Sequence, residues 1–235
     1  MTGVRIAVVG GGIAGVSAAY HLVEAHPDAE VFLLEAEPVL AHHTTGRSAA
    51  ILLENLTTRP NLILTRASVD FLRDTPTDLV DAPLLSPRTV MHISSKAQSD
   101  QMDELLAEGS LLPSPSVELT VDEAMDYFPP LRRELVDRAV LEPDCADIDV
   151  GALHQAYVRG FRRGGGRITT SARVDAARPD GNGWRLETTD GDVGADIVVN
   201  AAGAWGDVVA ARAGVEPIGL QPYRRTAFMV SSPRC

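Results

Sequence analysis

Two cysteines, Cys145 and Cys235, are all that this 235-residue chain offers for disulfide chemistry. They make neither a framework of bridges nor a C-x-x-C site, which suits a reducing cytoplasm. Positive charge is in deficit. The net charge of −11 argues against a nucleic-acid or anionic-membrane partner. No apolar run reaches transmembrane length. The apolar start reads as a short strand broken by glycines rather than a signal segment. No internal repeat or low-complexity tract is visible. What is left is an ordinary globular balance, 45% hydrophobic and 23% charged, long enough for one large domain or two interleaved ones. Arg159, Arg162, Arg163 and Arg167 fall at or after a helix end, where the dipole favours cations, and read as a solvated terminus.

The organising stretch is Val4 to Gly15. Val4 to Val9 is a nearly unbroken apolar run and predicts a buried parallel strand. It runs into Gly10-Gly11-Gly12-Ile13-Ala14-Gly15, which fits G-x-G-x-x-G and opens a helix over Ile13 to Ala25. Gly10 permits a tight turn, Gly12 lets backbone N–H groups approach a pyrophosphate, and Gly15 lets helix and strand pack closely. A second apolar run, Val31 to Leu34, ends in Glu35, 20 residues beyond Gly15, where a ribose-binding acid belongs. An acid there suits a free 2′-hydroxyl, so FAD or NAD is favoured over NADP.

Further along, Thr44 to Ala50 is small, hydroxylated and carries Arg47; such a loop can close over a diphosphate or a flavin ring. His42 and His43, adjacent on a loop without other ligands, read as solvent-facing, and no metal is expected. Pro60 fits the first turn of a helix over 61–73, Thr89 to Ser94 predicts a strand, and Asp100 to Glu108 has helical spacing. Met102 and Met125 read as core filler. Thr120 and Glu123 form a capping box. Glu142 to Asp149 reads as an acidic turn, one Asp capping a helix over Val150 to Arg163 that Gly164-Gly165-Gly166 stops. Arg167 to Val174 predicts a strand. Trp184 to Thr188, between two Asp-Gly turns, predicts an antiparallel meander. Ala195 to Asn200 predicts a strand ending in Ala201-Ala202-Gly203-Ala204-Trp205, small residues that let a ligand lie close. A helix follows to about Ala213, and Thr226 to Val230 predicts a last strand.

Gly10 to Gly15, Glu35, Thr44-Thr45-Gly46-Arg47-Ser48-Ala49-Ala50 and Val199 to Trp205 together resemble the FAD-dependent D-amino-acid oxidase superfamily. Within it, Pro83 to Arg88, Ala146 to Asp149, Ala152 to Gln155 and Gly219 to Arg225 look like stretches of the D-arginine (D-amino-acid) dehydrogenases. The resemblance implies an α/β fold of the glutathione-reductase type. It has a Rossmann-like FAD-binding parallel sheet in residues 1–82 and 145–215, and an incomplete antiparallel substrate-domain sheet in 83–144 and 216–235. It implies an enzyme in which the Cα hydride of a D-amino acid passes to flavin N5. The imino acid formed then hydrolyses to a 2-oxo acid and ammonia. Gly10, Gly12, Ile13, Ala14, Gly15, Glu35, Ala36, Thr44, Thr45, Gly46, Arg47, Ser48, Ala49, Ala50, Ile51, Val174, Ala202 and Gly203 would surround FAD, and Arg225 would hold the substrate carboxylate. The resemblance names no catalytic acid or base, and leaves oxygen or a quinone open as electron acceptor.

The chain also departs from that pattern. Ile51 stands where the dehydrogenases have a pocket histidine, Leu56 where they have a lid-loop tyrosine, and Val90 where a glutamate meets a cationic side chain. Loss of that carboxylate removes a guanidinium's partner and favours an apolar or imino D-amino acid. Such flavoproteins continue well beyond this length, so the chain reads as C-terminally truncated. Two alternatives stay open: a catalytically silent flavin-binding protein, and an NAD-linked dehydrogenase.

Overall fold

The structure, a computed structural model, describes residues 3–55 and 59–226. The first half of the chain carries β1 (Arg5–Val9), α1 (Ile13–Ala25), β2 (Glu30–Leu34), β3 (Ile51–Leu52), α2 (Arg59–Arg73), β4 (Leu85–Ser94), α3 (Ser99–Gly109), β5 (Val117–Leu119) and α4 (Val121–Tyr127). The second carries β6 (Arg138–Ile148), α5 (Val150–Arg163), β7 (Arg167–Thr169), β8 (Val174–Asp180), β9 (Gly183–Thr188), β10 (Gly191–Ala195), β11 (Ile197–Asn200) and α6 (Gly206–Arg212). They form two compact units, residues 1–49 with 150–235, and residues 50–149. The expected boundary at residue 82 moves. Ile51 and Leu52 pair with Asp147 and Ala146 of β6, which draws 50–82 into the second unit.

In the first unit, four parallel strands lie in the order β11-β1-β2-β7. Their continuous apolar runs suit a sheet covered on both faces. Val8 pairs with Leu33 and with Val199, and Val8 and Leu33 are fully buried. The crossover from β1 to β2 is α1, whose bounds match the expected helix. It packs on α5, where Tyr20 and Tyr157 stand with ring centroids 5.6 Å apart. Burial there pushes the Tyr157 phenol above its ordinary pKa. The meander β10-β9-β8 forms as expected. Phe32, Leu34, Val174, Leu186 and Val209 bury one core between the parallel sheet and this meander.

The expected strand over 167–174 is instead two strands in different sheets. β7 ends at Thr169 and β8 begins at Val174; between them Ser171 takes φ +56°. The expected strand Ala195 to Asn200 likewise divides, with Ala195 ending β10 and Ile197 opening β11. Thr226 carries no strand, and the rest of the last expected strand lies outside the described residues.

In the second unit, β3, β6 and β4 form an antiparallel sheet, with β5 also pairing β6. Pro87 lies on β4, an edge of that order, where its missing N–H costs no central ladder bond. α3 buries Met102 and Leu105 against Val140, and half-buried Met125 lies on α4. The capping box of α4 forms as expected: Thr120 Oγ1 accepts the Glu123 N–H at 3.2 Å, and Glu123 Oε2 accepts the Thr120 N–H at 2.8 Å.

The acidic stretch from Glu142 is no turn. It is the second half of the eleven-residue strand β6. Its carboxylates are tolerated because partners stand beside them. Arg88 meets Asp147 at 2.5 Å, and His92 Nε2 lies 3.1 Å from Oε1 of buried Glu142. Cys145 is buried on the same strand, its sulfur 3.6 Å from Glu142 Oε2. Burial and the neighbouring Glu142 charge push its thiol pKa up to about 12.

Candidate functional site

The site is built where β1 ends and the chain must reverse into α1. Gly10 takes φ +114°, and a Cβ on it would lie 2.4 Å from the Ala201 carbonyl oxygen. A Cβ on Gly15 would lie 1.8 Å from the Gly10 carbonyl oxygen, so only glycine lets α1 approach the turn. At Gly12 a Cβ would meet only Thr45 Oγ1, at 3.2 Å. The turn, the close approach and the bared backbone that G-x-G-x-x-G demands are therefore all present.

Glu35, the residue after β2, closes the other wall. Its Oε2 accepts the Gly11 N–H at 2.6 Å and its Oε1 accepts the Glu37 N–H at 2.8 Å. Thr45 Oγ1 accepts the Ile13 N–H at 2.9 Å, fastening the following loop to the N-terminus of α1. Past β11, Asn200 braces the small-residue turn. Its Nδ2 donates to the Gly206 carbonyl at 2.7 Å, and its Oδ1 accepts the Ala202 N–H at 3.3 Å.

These segments enclose a cleft of about 540 Å³ within the first unit. Of the sequence-predicted residues, Gly10, Gly12, Ile13, Ala14, Glu35, Ala36, Thr44, Thr45, Val174, Ala202 and Gly203 line it. Gly15 stands behind the turn. Gly46, Arg47, Ser48 and Ala49 continue the chain beyond the wall, and Ala50 and Ile51 belong to the second unit. Arg225 is exposed in the segment after α6 and is not among the lining residues. Val90 is half-buried on β4, and Leu56 lies outside the described residues.

Several lining residues escaped the sequence reading. Gly11 sits in the motif but in one of its unspecified positions. Arg212 reaches the cleft from α6 and donates to the Val174 carbonyl at 2.5 Å. Arg173 also lines it and pairs with Asp175 at 2.8 Å, which holds that carboxyl below its ordinary range. His42 and His43 are on the wall rather than simply in solvent. His43 is half-buried, its Nε2 2.9 Å from Glu37 Oε1 and its ring 4.5 Å from that of Trp205. Candidate ligand atoms of Glu37, His42 and His43 lie within 4.8 Å of one another, and Glu37 and His43 are hydrogen-bonded to each other.

The donor set fits a dinucleotide. Helix α1 presents its N-terminus and a glycine without steric cover, which suits a diphosphate. A carboxylate already oriented by two backbone N–H bonds can accept from ribose hydroxyls. The cleft volume lies within the roughly 300–1,000 Å³ usual for small-molecule sites.

A model of the DAO family, described as FAD dependent oxidoreductase, matches residues 5–235. The chain belongs to this family. FAD is its cofactor, and the NAD-linked alternative falls away. Among curated relatives, L-2-hydroxyglutarate dehydrogenase of Indibacter alkaliphilus is 22% identical over 98% of this chain and 58% of its own length. Human mitochondrial dimethylglycine dehydrogenase is 27% identical over 89% of this chain and 24% of its own. The fold matches the crystal structure of glycine oxidase from Geobacillus kaustophilus with a TM-score of 0.76, at 24% identity, covering 89% of this chain and 58% of that one. The chain thus spans a little over half of the first relative and about a quarter of the second. Among the described residues, no helix is long and apolar enough to cross a membrane.

Proposed function

We propose that this chain is the FAD-binding unit, with part of the substrate unit, of an enzyme that oxidises the CH–NH2 group of a D-amino acid. The product is an imino acid that water converts to a 2-oxo acid and ammonia. The observation that carries the reading is the placement of Glu35, the glycine turn and Thr45 around one cleft in a chain of the DAO family.

In this reading Gly12, with the N-terminus of α1, holds the diphosphate, and Glu35 accepts from the ribose. Thr45 keeps the loop pinned through Ile13. Gly10, Ala14, Ala36, Thr44, Val174, Ala202 and Gly203 shape the walls with little or no side chain to obstruct the cofactor. FAD, when bound, supplies the two-electron acceptor for the hydride leaving Cα. Arg225 would grip the substrate carboxylate with its forked donors. Ile51, Leu56 and Val90 bring no carboxylate for a cationic side chain, which favours apolar or imino substrates such as D-leucine, D-methionine or D-proline.

The test is anaerobic bleaching of the bound flavin. D-Leucine, D-methionine or D-proline should bleach it faster than D-arginine, and the reverse order would overturn the apolar preference. A second reading, oxidation of a 2-hydroxy acid, is favoured by the similarity to L-2-hydroxyglutarate dehydrogenase. Bleaching by L-2-hydroxyglutarate alone would select it. Flavin that binds but bleaches with neither class supports a silent flavin-binding chain.

A further inference from the structure

His154 lies in the middle of α5, far in sequence from the glycine-rich turn, and is 2% exposed. Its Nε2 stands 3.0 Å from the Gly11 carbonyl oxygen. A carbonyl can only accept, so Nε2 carries the proton of this bond. The same oxygen accepts the Ala41 N–H at 3.1 Å. On its other side, Gly11 gives its own N–H to Glu35 Oε2 at 2.6 Å. Both peptide groups of Gly11 are therefore held, one by Glu35 and the other by Ala41 and His154.

That second peptide matters most. The Gly11 carbonyl and the Gly12 N–H belong to one planar trans unit and point in opposite directions. Drawing the carbonyl toward α5 turns the Gly12 N–H away from α5. Gly12 lines the cleft, and its backbone is the part of the turn with least protein over it. A glycine has no side chain of its own to fix this plane, so the orientation must come from outside the turn.

We propose that His154 is a positioning residue for FAD: a buried Nε2–H donor that sets the peptide plane between Gly11 and Gly12 and so aims the Gly12 amide at the diphosphate. It is not among the residues lining the cleft and acts through Gly11. The inference rests on the assignment of the cleft to FAD. It extends that assignment to a side chain on a different helix, outside the glycine motif.

The test compares His154→Gln, which keeps an N–H donor, with His154→Met, which has similar length and no donor. Apoprotein of the full chain is titrated with FAD, and binding is followed by flavin fluorescence. His154→Gln should bind within about threefold of wild type. His154→Met should bind about tenfold or more weakly, as expected for one lost hydrogen bond. Val158→Ala, a buried truncation on the same helix, serves as a packing control. It should lower the apoprotein melting temperature without a matching loss of FAD affinity. Equal affinities for the Gln and Met variants would overturn the proposal. So would losses that merely track apoprotein stability in all three. Nitrogen NMR of wild-type protein gives an independent reading even if the variants do not fold: an unprotonated His154 Nε2 would overturn the proposal directly. Wild-type protein that takes up no FAD would overturn the cofactor assignment as well, whereas normal uptake with equal variants defeats only the role of His154.

Discussion

Glu35 Oε2 and the Gly11 N–H meet at 2.6 Å, so the acid that follows the second strand also clamps the glycine turn that follows the first. A charged acceptor makes such a bond worth about 1.5–3 kcal/mol. Glu35→Ala should therefore lose FAD affinity by more than the proposed ribose contact alone would explain, on the order of 100-fold in fluorescence titration. Glu35→Gln keeps an acceptor for the turn and should lose less. Equal affinities for the two variants would show that the clamp contributes nothing.

Gly12 and Gly15 should respond to alanine in opposite ways. At Gly15 the new methyl would sit 1.8 Å from the Gly10 carbonyl oxygen, a collision with backbone that cannot rotate away. Gly15→Ala should cost about 3 kcal/mol or more of stability and lower the melting temperature of apoprotein and holoprotein alike. At Gly12 the methyl meets only Thr45 Oγ1 at 3.2 Å, which a small shift relieves. Gly12→Ala should fold with little change in apoprotein melting but bind FAD weakly, because in the proposed binding mode the methyl occupies the diphosphate's approach. An apoprotein of Gly12→Ala as unstable as that of Gly15→Ala would contradict this division.

Thr45 is nearly buried, and its Oγ1 takes the Ile13 N–H at 2.9 Å. Thr45→Val keeps the shape and removes the acceptor, leaving a helix N–H without its partner. The loss should be about 1–2 kcal/mol in chemical unfolding. Thr45→Ser keeps the oxygen and should recover most of it.

How much of this was legible depends on where each residue's partners lie. Helices α1 and α5 were bounded correctly because their ends are written locally, in the glycines before α1 and after α5. The glycines and Glu35 were legible for the same reason: motif, helix and acid fall in one short crossover. Strand β6 was not. Glu142, Pro143 and Asp144 look like a turn in isolation. Their strand character depends on β4, which supplies Arg88 and His92 from far away in the sequence. The break between β7 and β8 rests on the positive φ of Ser171, a residue that gives no glycine-like warning. Arg212 joins the cleft because α6 packs against β8, where Arg212 bonds the Val174 carbonyl, and no local pattern announces that.

Cys145 makes the pH dependence testable with a defined sign. Its thiol is pushed up to about 12 from an ordinary value of 9.0, first by burial and then by the Glu142 carboxylate. Between those values the folded chain holds this proton while the unfolded chain releases it. The contribution is therefore complete below about pH 9 and is lost as pH rises toward 12, by at most about 1.4 kcal/mol per pH unit. Chemical unfolding of wild type and Cys145→Ala at several alkaline pH values isolates this arm from the other titrating groups. The stability difference between the two proteins should shift steadily against wild type above pH 9. A difference that stays constant across that range would mean that the folded thiol titrates normally. Reaction with a thiol reagent at pH 8 reports the same protonation independently, since thiolate is the attacking form. Native Cys145 should label far more slowly than after unfolding in denaturant, and rapid native labelling at that position would refute the buried, protonated state.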